Sequence, residues 1–509
     1  MVVDEKTSQF LGKHDIIHLA ILLAIAIGVG IYLIATTALI AKDGVYYIEN
    51  ARRFSSEPMQ IIKGESFGYP FLVFAAHKLI SAFSNSSSVY TWIYSAQSVS
   101  LLCRLFAIAS LYFIGKLLVG GSKSFWAILI LVMLPYPARF GSDVLRDWPN
   151  ILFLSAGFLC LLWGAKQSKW WVFGLAGLAA GLGHMIRPEC AQLVVYGVLW
   201  LLIGFLLPNH NMSRPQLVYA LLILLIGFAI PAAPYMKARG QILPEKLKHL
   251  VGYSCRLGHG RPQGDNIDNT GNINVALSFP GNTAEAVSTL VGGVSENLMY
   301  YFLPALLIGI YYHFRRESAL TATERFFIPV FIAFNSLMLI LLFNSYGYIS
   351  RRHVLPLVAF TIFYVPAGLQ VLSDWLINRF SKLRLQTVHG RQLWFFVLFG
   401  VGVSICLPNL FKPIRVEKQS YRAVANWLRE NTRREDVVGV PDTRMSLYAE
   451  RDGVFYEGGE IPAKARYIVK IVDEESENKE LNFNRAVREE HSLWIDRGKK
   501  KKLVVYRMM

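Results

Sequence analysis

The sequence predicts a mainly α-helical, polytopic membrane protein of about eleven transmembrane helices ending in a small α/β domain. Three observations carry that expectation. Of 509 residues, 53% are hydrophobic and only 17% charged, with a mean hydropathy of +0.37, too apolar for a soluble chain of this length. Apolar runs long enough to cross a bilayer recur from end to end. The composition then turns abruptly polar after residue 411. The formal net charge of +17, from 52 Lys and Arg against 35 Asp and Glu, suits anionic headgroups or a phosphorylated substrate. No nucleic-acid module accompanies it, so nucleic acid is not an expected partner. Cys103, Cys160, Cys190, Cys255 and Cys406 show no CxxC spacing and read as small core residues.

The first apolar run, 16–40, is too long for a signal-peptide core and reads as a retained span. The polar loop 41–88 follows, with a mixed segment at 71–80 whose length suits a helix lying at the interface. Further spans are readable at 89–119, 125–137, 149–165, 170–184, 191–207, 217–235, 298–313, 326–343, 354–376 and 393–410. Between them runs a long loop, 237–297, whose Gly- and Asn-rich middle has the length of a lid or a disordered segment. Residues 412–509 form the polar tail. Tyr421, Val424, Ala425, Trp427 and Leu428 share one helical face, and short runs at 437–440, 454–456, 467–472 and 503–506 read as strands. The tail is either a solvated cap on the outer face or a surface that recognises an acceptor.

Loop charge sets the orientation, because Lys and Arg are retained on the cytoplasmic side of short connections. With the N-terminus inside, Lys116 and Lys123, Lys166 and Lys169, Arg214, Arg315 with Arg316 and Arg325, and Arg379 with Lys382, Arg384 and Arg391 fall on inner connections. Both long loops and the tail then face outward.

The exceptions carry the chemistry. Arg139, Arg146, Arg187, Arg351 and Arg352 sit in short outer loops with Asp143, Asp147, Glu189 and His353, where basic residues are costly to insert and ionisable groups are normally functional. Their repetition over several loops points to one anion pocket, with phosphate the simplest occupant. A plainer account has each Arg snorkelling to headgroups or pairing with the acid beside it, Arg146 with Asp147 and Arg187 with Glu189. Asp43 directly follows the first span, where apolar neighbours favour a general base, though an Asp before a helical run can also serve as its N-cap. Tyr46 and Tyr47 follow on that helix as candidate acceptor or positioning groups. Lys63 and Glu65, in KGESFGYP, are candidates for phosphate and acceptor contact, with a solvated surface as the alternative.

Taken together, DGVYY after the first span, a GYP turn before an interfacial helix, SDVLRDWP, an outward RPE and a late RRHVLP resemble the GT-C superfamily of membrane glycosyltransferases. Within it the chain is similar to protein mannosyltransferases and to bacterial aminoarabinose and lipopolysaccharide-core sugar transferases. The resemblance covers the membrane part and extends to the YRAVANWLREN helix of the tail. It implies a multi-pass plasma (inner) membrane enzyme with an extracytoplasmic site, moving a sugar from a polyprenyl-phosphate donor to a lipid, glycan or protein hydroxyl, usually with inversion. It implies Asp43 as base, Asp147 as the second-loop acid that positions acceptor or base, and Arg351 or Arg352 against the donor phosphate. Two departures stand out. Protein mannosyltransferases carry an acidic pair where this chain has Asp43 and Gly44, and relatives often have Tyr in place of His353. Neither His184 with Glu189 nor Glu65 with a distant His makes a clear ligand cluster, so no metal or other cofactor is expected. A lipid-linked sugar flippase or another transporter is the competing class.

Overall fold

The computed structural model describes residues 12–64, 66–83, 88–206, 212–240, 283–315, 322–379, 388–456, 462–473, 486–495 and 501–509. Eight of its helices are long and apolar enough to cross a bilayer. Thr283–Asn297 and Phe302–Arg315 pass the same test jointly but are bent by 108° against each other. Two shorter apolar helices, Gly121–Met133 and Val172–Ile186, complete the set, so each predicted span has a helical counterpart. The segment before Leu298, expected as loop, is helical from Thr283 to Asn297; its Glu285, Thr289 and Ser295 spacing masks a weak apolar face of Ala286 and Leu290. The Gly- and Asn-rich middle of that loop lies outside the described residues.

The spans pack through small residues, as lipid-embedded helices must when no hydrophobic force separates helix from tail. Gly309 and Gly368 bring Phe302–Arg315 and Val365–Arg379 into backbone contact: an added Cβ would lie 1.9 Å from the Tyr364 carbonyl oxygen or 1.8 Å from that of Ala305. The first span, Lys13–Thr36, is about 36 Å long at ~1.5 Å per residue, so its two ends lie at opposite faces of the bundle. At its start Asp15 accepts from Tyr112 at 2.7 Å and from Lys116 Nζ at 2.6 Å. Lys166 donates to Glu324 at 2.7 Å and to the Leu117 carbonyl at 2.6 Å. Cations that the charge bias assigned to inner connections are thus gathered at one end, and Asp43 lies at the other.

The tail folds as expected, with two additions. Helix Gln419–Asn431 buries Tyr421, Val424, Ala425 and Leu428, while Trp427 stacks on His491 at 5.1 Å. Strands β1 (Val438–Val440), β2 (Gly453–Phe455), β3 (Tyr467–Asp473), β4 (Val487–Trp494) and β5 (Lys501–Met508) form one sheet in the order β2-β1-β3-β5-β4. The first three are parallel, and β5 runs antiparallel to β3 and β4. Strand β4 reads VREEHSLW and was missed because its polar, half-exposed face hides the alternation. Helix Thr443–Ala449 is a single short element with no repeat to read. One apolar cluster joins Leu39, Ile40 and Val45 near Asp43 to Tyr421, Val438 and Met445 of the tail, so the tail shares a core with the Asp43 end of the membrane part.

Candidate active site

Asp43 lies in the first turn of helix Lys42–Arg53, where the positive end of the helix dipole favours a carboxylate. It is not the N-cap. That position belongs to Ala41, whose backbone N–H donates to Asp143 Oδ1 at 3.0 Å, leaving the Asp43 side chain to turn outward. There Arg352 Nη1 donates to Asp43 Oδ2 at 2.8 Å across 309 positions of sequence. Gly44 explains the missing second acid: a Cβ there would meet Val144 Cβ at 2.9 Å and Ile40 at 3.2 Å. A side chain at this position would push the helix off the loop that carries Asp143 and Asp147.

Asp43, Arg351 and Arg352 line a cavity of about 1160 Å³ with eight basic and four acidic side chains in its wall. Arg351 pairs with Glu296 of the bent helix and lies 4.5 Å over the Tyr136 ring. Arg139 donates to the Asn409 and Lys412 carbonyls at 2.6 and 3.1 Å. Lys412, Arg415, Glu417, Lys418 and Arg444 come from beyond the last span, so the tail forms part of the wall. Sequence reasoning missed them. Arg415, in KPIRVEK beside an outward membrane end, breaks the charge bias as the other outer arginines do and could have been found on that ground; Arg444 carries no such signal.

Tail arginines also hold the backbone that leads into Asp43. Arg422 donates to the Thr37 carbonyl at 3.0 Å, Arg415 to that of Leu39 at 3.1 Å and Arg444 to that of Ile40 at 3.0 Å. Arg415 pairs at 2.5 Å with Asp143, the carboxylate that caps the Asp43 helix. Asp442 grips Arg444 through both oxygens, at 2.8 and 2.5 Å. Burial would raise the Asp442 carboxyl, but the Arg444 guanidinium outweighs it and holds the group below its usual range. Burying these charges is tolerable only because each is paired and hydrogen-bonded.

Asp147 lies beside the cavity, 2% exposed, paired with Arg187 at 2.8 Å. The plainer account had paired Asp147 with Arg146 instead. Asp147 opens its helix and Arg187 ends another, so the two point at each other across the loops, whereas Arg146 reaches the Ile186 carbonyl at 3.4 Å and faces the Tyr47 ring at 6.0 Å. Arg187 would be weakened by burial, but Asp147 and then Glu189 raise its proton affinity. Arg352 behaves alike, desolvation being outweighed by the charges of Asp147 and Asp43 together. His353 is pushed down to about 4, by burial first and then by Arg187, against Asp147. It is a neutral ring whose Nδ1 accepts from the Ser350 N–H at 3.3 Å. Tyr47 packs on Tyr69 at 5.1 Å; burial raises its phenol, partly offset by Arg146 and Arg187. Tyr46 is 50% exposed. Lys63 ends the short helix Pro58–Lys63, exposed and outside the cavity wall, and Glu65 lies outside the described residues. Among the described residues no three His, Cys, Asp or Glu side chains form a group that could hold a metal ion.

Residues 70–233 match the family described as dolichyl-phosphate-mannose-protein mannosyltransferase. No curated protein sequence matches. Among solved structures, the chain is similar to ArnT from Cupriavidus metallidurans bound to undecaprenyl phosphate, with a TM-score of 0.57 at 10% identity over 96% of this chain and 97% of that one. It is also similar to the archaeal oligosaccharyltransferase AglB from Archaeoglobus fulgidus, in complex with an inhibitory peptide and a dolichol-phosphate, at 0.56 and 13% over 91% and 70%.

Proposed function

From the premise that the chain has the GT-C fold, we propose that it is a membrane glycosyltransferase that moves a sugar from a polyprenyl-phosphate donor to an acceptor hydroxyl on the extracytoplasmic face. The observation that carries this is the meeting of Asp43 and Arg352 in one cavity across 309 positions of sequence. Arg351 and Arg352 bind the donor phosphate, for which a guanidinium offers paired hydrogen bonds. Asp43 takes the proton of the acceptor hydroxyl as its oxygen attacks the anomeric carbon from the face opposite the phosphate, which inverts the centre. Asp147, locked by Arg187, positions the acceptor and the base. As the carbon–phosphate oxygen bond breaks, charge grows on the departing phosphate and the fixed cations stabilise it. The phosphate-linked lipids named in the two similar structures support the donor class.

Such a reaction needs no metal, because guanidinium groups stand where a cation would neutralise phosphate. The test is Asp43→Asn, scored by mass spectrometry of lipid-linked glycans in cells with and without the protein. Loss of transfer with normal amounts of folded protein is the expected result, and full activity removes Asp43 as base. Replacing Arg351 and Arg352 together with Ala weakens donor affinity more than it changes acceptor choice. An unchanged donor affinity would remove the phosphate role.

A further inference from the structure

We infer that Asp43 and the donor phosphate compete for Arg352, which passes from the carboxylate to the phosphate as the reaction proceeds. This deepens the proposed function and rests on it. Two neighbouring cations have committed carboxylates: Arg187 is held by Asp147 at 2% exposure and Arg415 by Asp143 at 3%. The Arg352–Asp43 pair differs, with 31% and 47% of the two side chains exposed; Arg351–Glu296 is open to the same degree, but of the two it is Arg352 that meets the proposed base, through Nη1 alone. A singly bonded, solvated pair is weak, whereas phosphate can take two guanidinium nitrogens at once.

Charge conservation gives the exchange its direction. During transfer the acceptor oxygen bonds to the anomeric carbon and the carbon–oxygen bond to phosphate breaks, its electron pair leaving with the phosphate. The acceptor proton moves to Asp43 and departs to water after product release. Asp43 thus loses one negative charge while the phosphate gains one, and Arg352 faces both. Its attraction to the carboxylate fades as its attraction to the phosphate grows, so its interaction is strongest where the transition state needs it. Until the donor binds, Arg352 holds Asp43. Donor binding frees the base, and the order is donor first, acceptor second.

Competition has a counter-intuitive consequence for binding, measurable without turnover. With the purified full chain in nanodiscs and undecaprenyl phosphate as probe, Asp43→Asn removes the competitor and binds the lipid tighter, by roughly two- to fivefold for a pair of this exposure. Arg352→Ala binds it at least about tenfold more weakly, as loss of a charge-assisted contact does. Adding Asp43→Asn to Arg352→Ala gives no tightening. Asp43→Ser repeats the first arm should the Asn variant fail to fold, as judged by its melting curve. Unchanged or weaker binding by the Asp43 variants, with Arg352→Ala still impaired, overturns the exchange and leaves the phosphate site standing. Unchanged binding by Arg352→Ala overturns the phosphate site itself.

Discussion

Two sets of ion pairs in the helical bundle differ in character. At the Lys13 end of the first span Asp15 is 8% exposed and Glu324 7% in their pairs with Lys116 and Lys166, and the lysines also serve backbone or neighbouring groups. At the Asp43 end the cavity wall has an excess of cations, and beside the closed Arg187–Asp147 and Arg415–Asp143 pairs the Arg352–Asp43 pair is 31% and 47% exposed. Closed, matched pairs fasten helices together. An open pair beside unmatched charge is poised to accept something else. The same residue types therefore carry stability at one end and, on our reading, reactivity at the other.

That contrast can be broken by exchanging which property each end loses. The largest effect is expected from Asp43→Asn, which should lower transfer by about 10²–10⁴-fold, the usual contribution of a general base, with the melting temperature of the solubilised protein unchanged. Arg415→Ala and Arg444→Ala release the 39–40 backbone that aims Asp43, and a small misplacement costs up to about 10² in rate; each also leaves a buried carboxylate unpaired, Asp143 or Asp442, so turnover and melting temperature should fall together. At the Lys13 end, Lys116→Met leaves the buried Asp15 carboxylate unpaired and should destabilise the fold by about 1–3 kcal/mol, read as a lower melting temperature, with the rate per folded molecule preserved. Should Lys116→Met lower the rate per folded molecule, or Asp43→Asn the melting temperature, the comparison is inverted.

The pH response sharpens it further. His353 titrates near 4 in the fold against 6.5 for an ordinary imidazole. Below about 6.5 the unfolded chain takes up a proton that the folded chain refuses until about 4, so stability present above that window is lost as pH falls through it. Melting curves between pH 7 and 4 should show the decline, and His353→Gln should flatten it. The smallest expected effect is that of a chelator, under which transfer should persist; its abolition and rescue by one divalent ion would require a ligand set from residues other than those described.

Much of this was legible in the sequence because membrane insertion constrains it so tightly. The spans follow from runs of apolar residues, and the outer arginines from their breach of the charge bias. Asp43 and Arg352 could be named separately, but their contact spans 309 positions and no local pattern encodes it. The Asp147–Arg187 pair was hidden for a related reason: Arg146 and Asp147 are adjacent, yet a helix starts between them and sends their side chains apart. The tail's role in the cavity wall was not readable either, since backbone carbonyls at 37, 39 and 40 bear no sequence signature for the arginines they accept from. Its helix and most of its strands were.

The crowding at Gly44 limits how the Asp43 helix can be redesigned. Anyone wishing to graft the acidic doublet of protein mannosyltransferases onto this scaffold would have to trim Val144 first, since its Cβ stands 2.9 Å from where the new side chain must begin. A Gly44→Glu change made alone would tilt Asp43 away from its target and imitate a catalytic defect, whereas pairing it with Val144→Gly, which removes the clashing Cβ, would test the graft on its own terms.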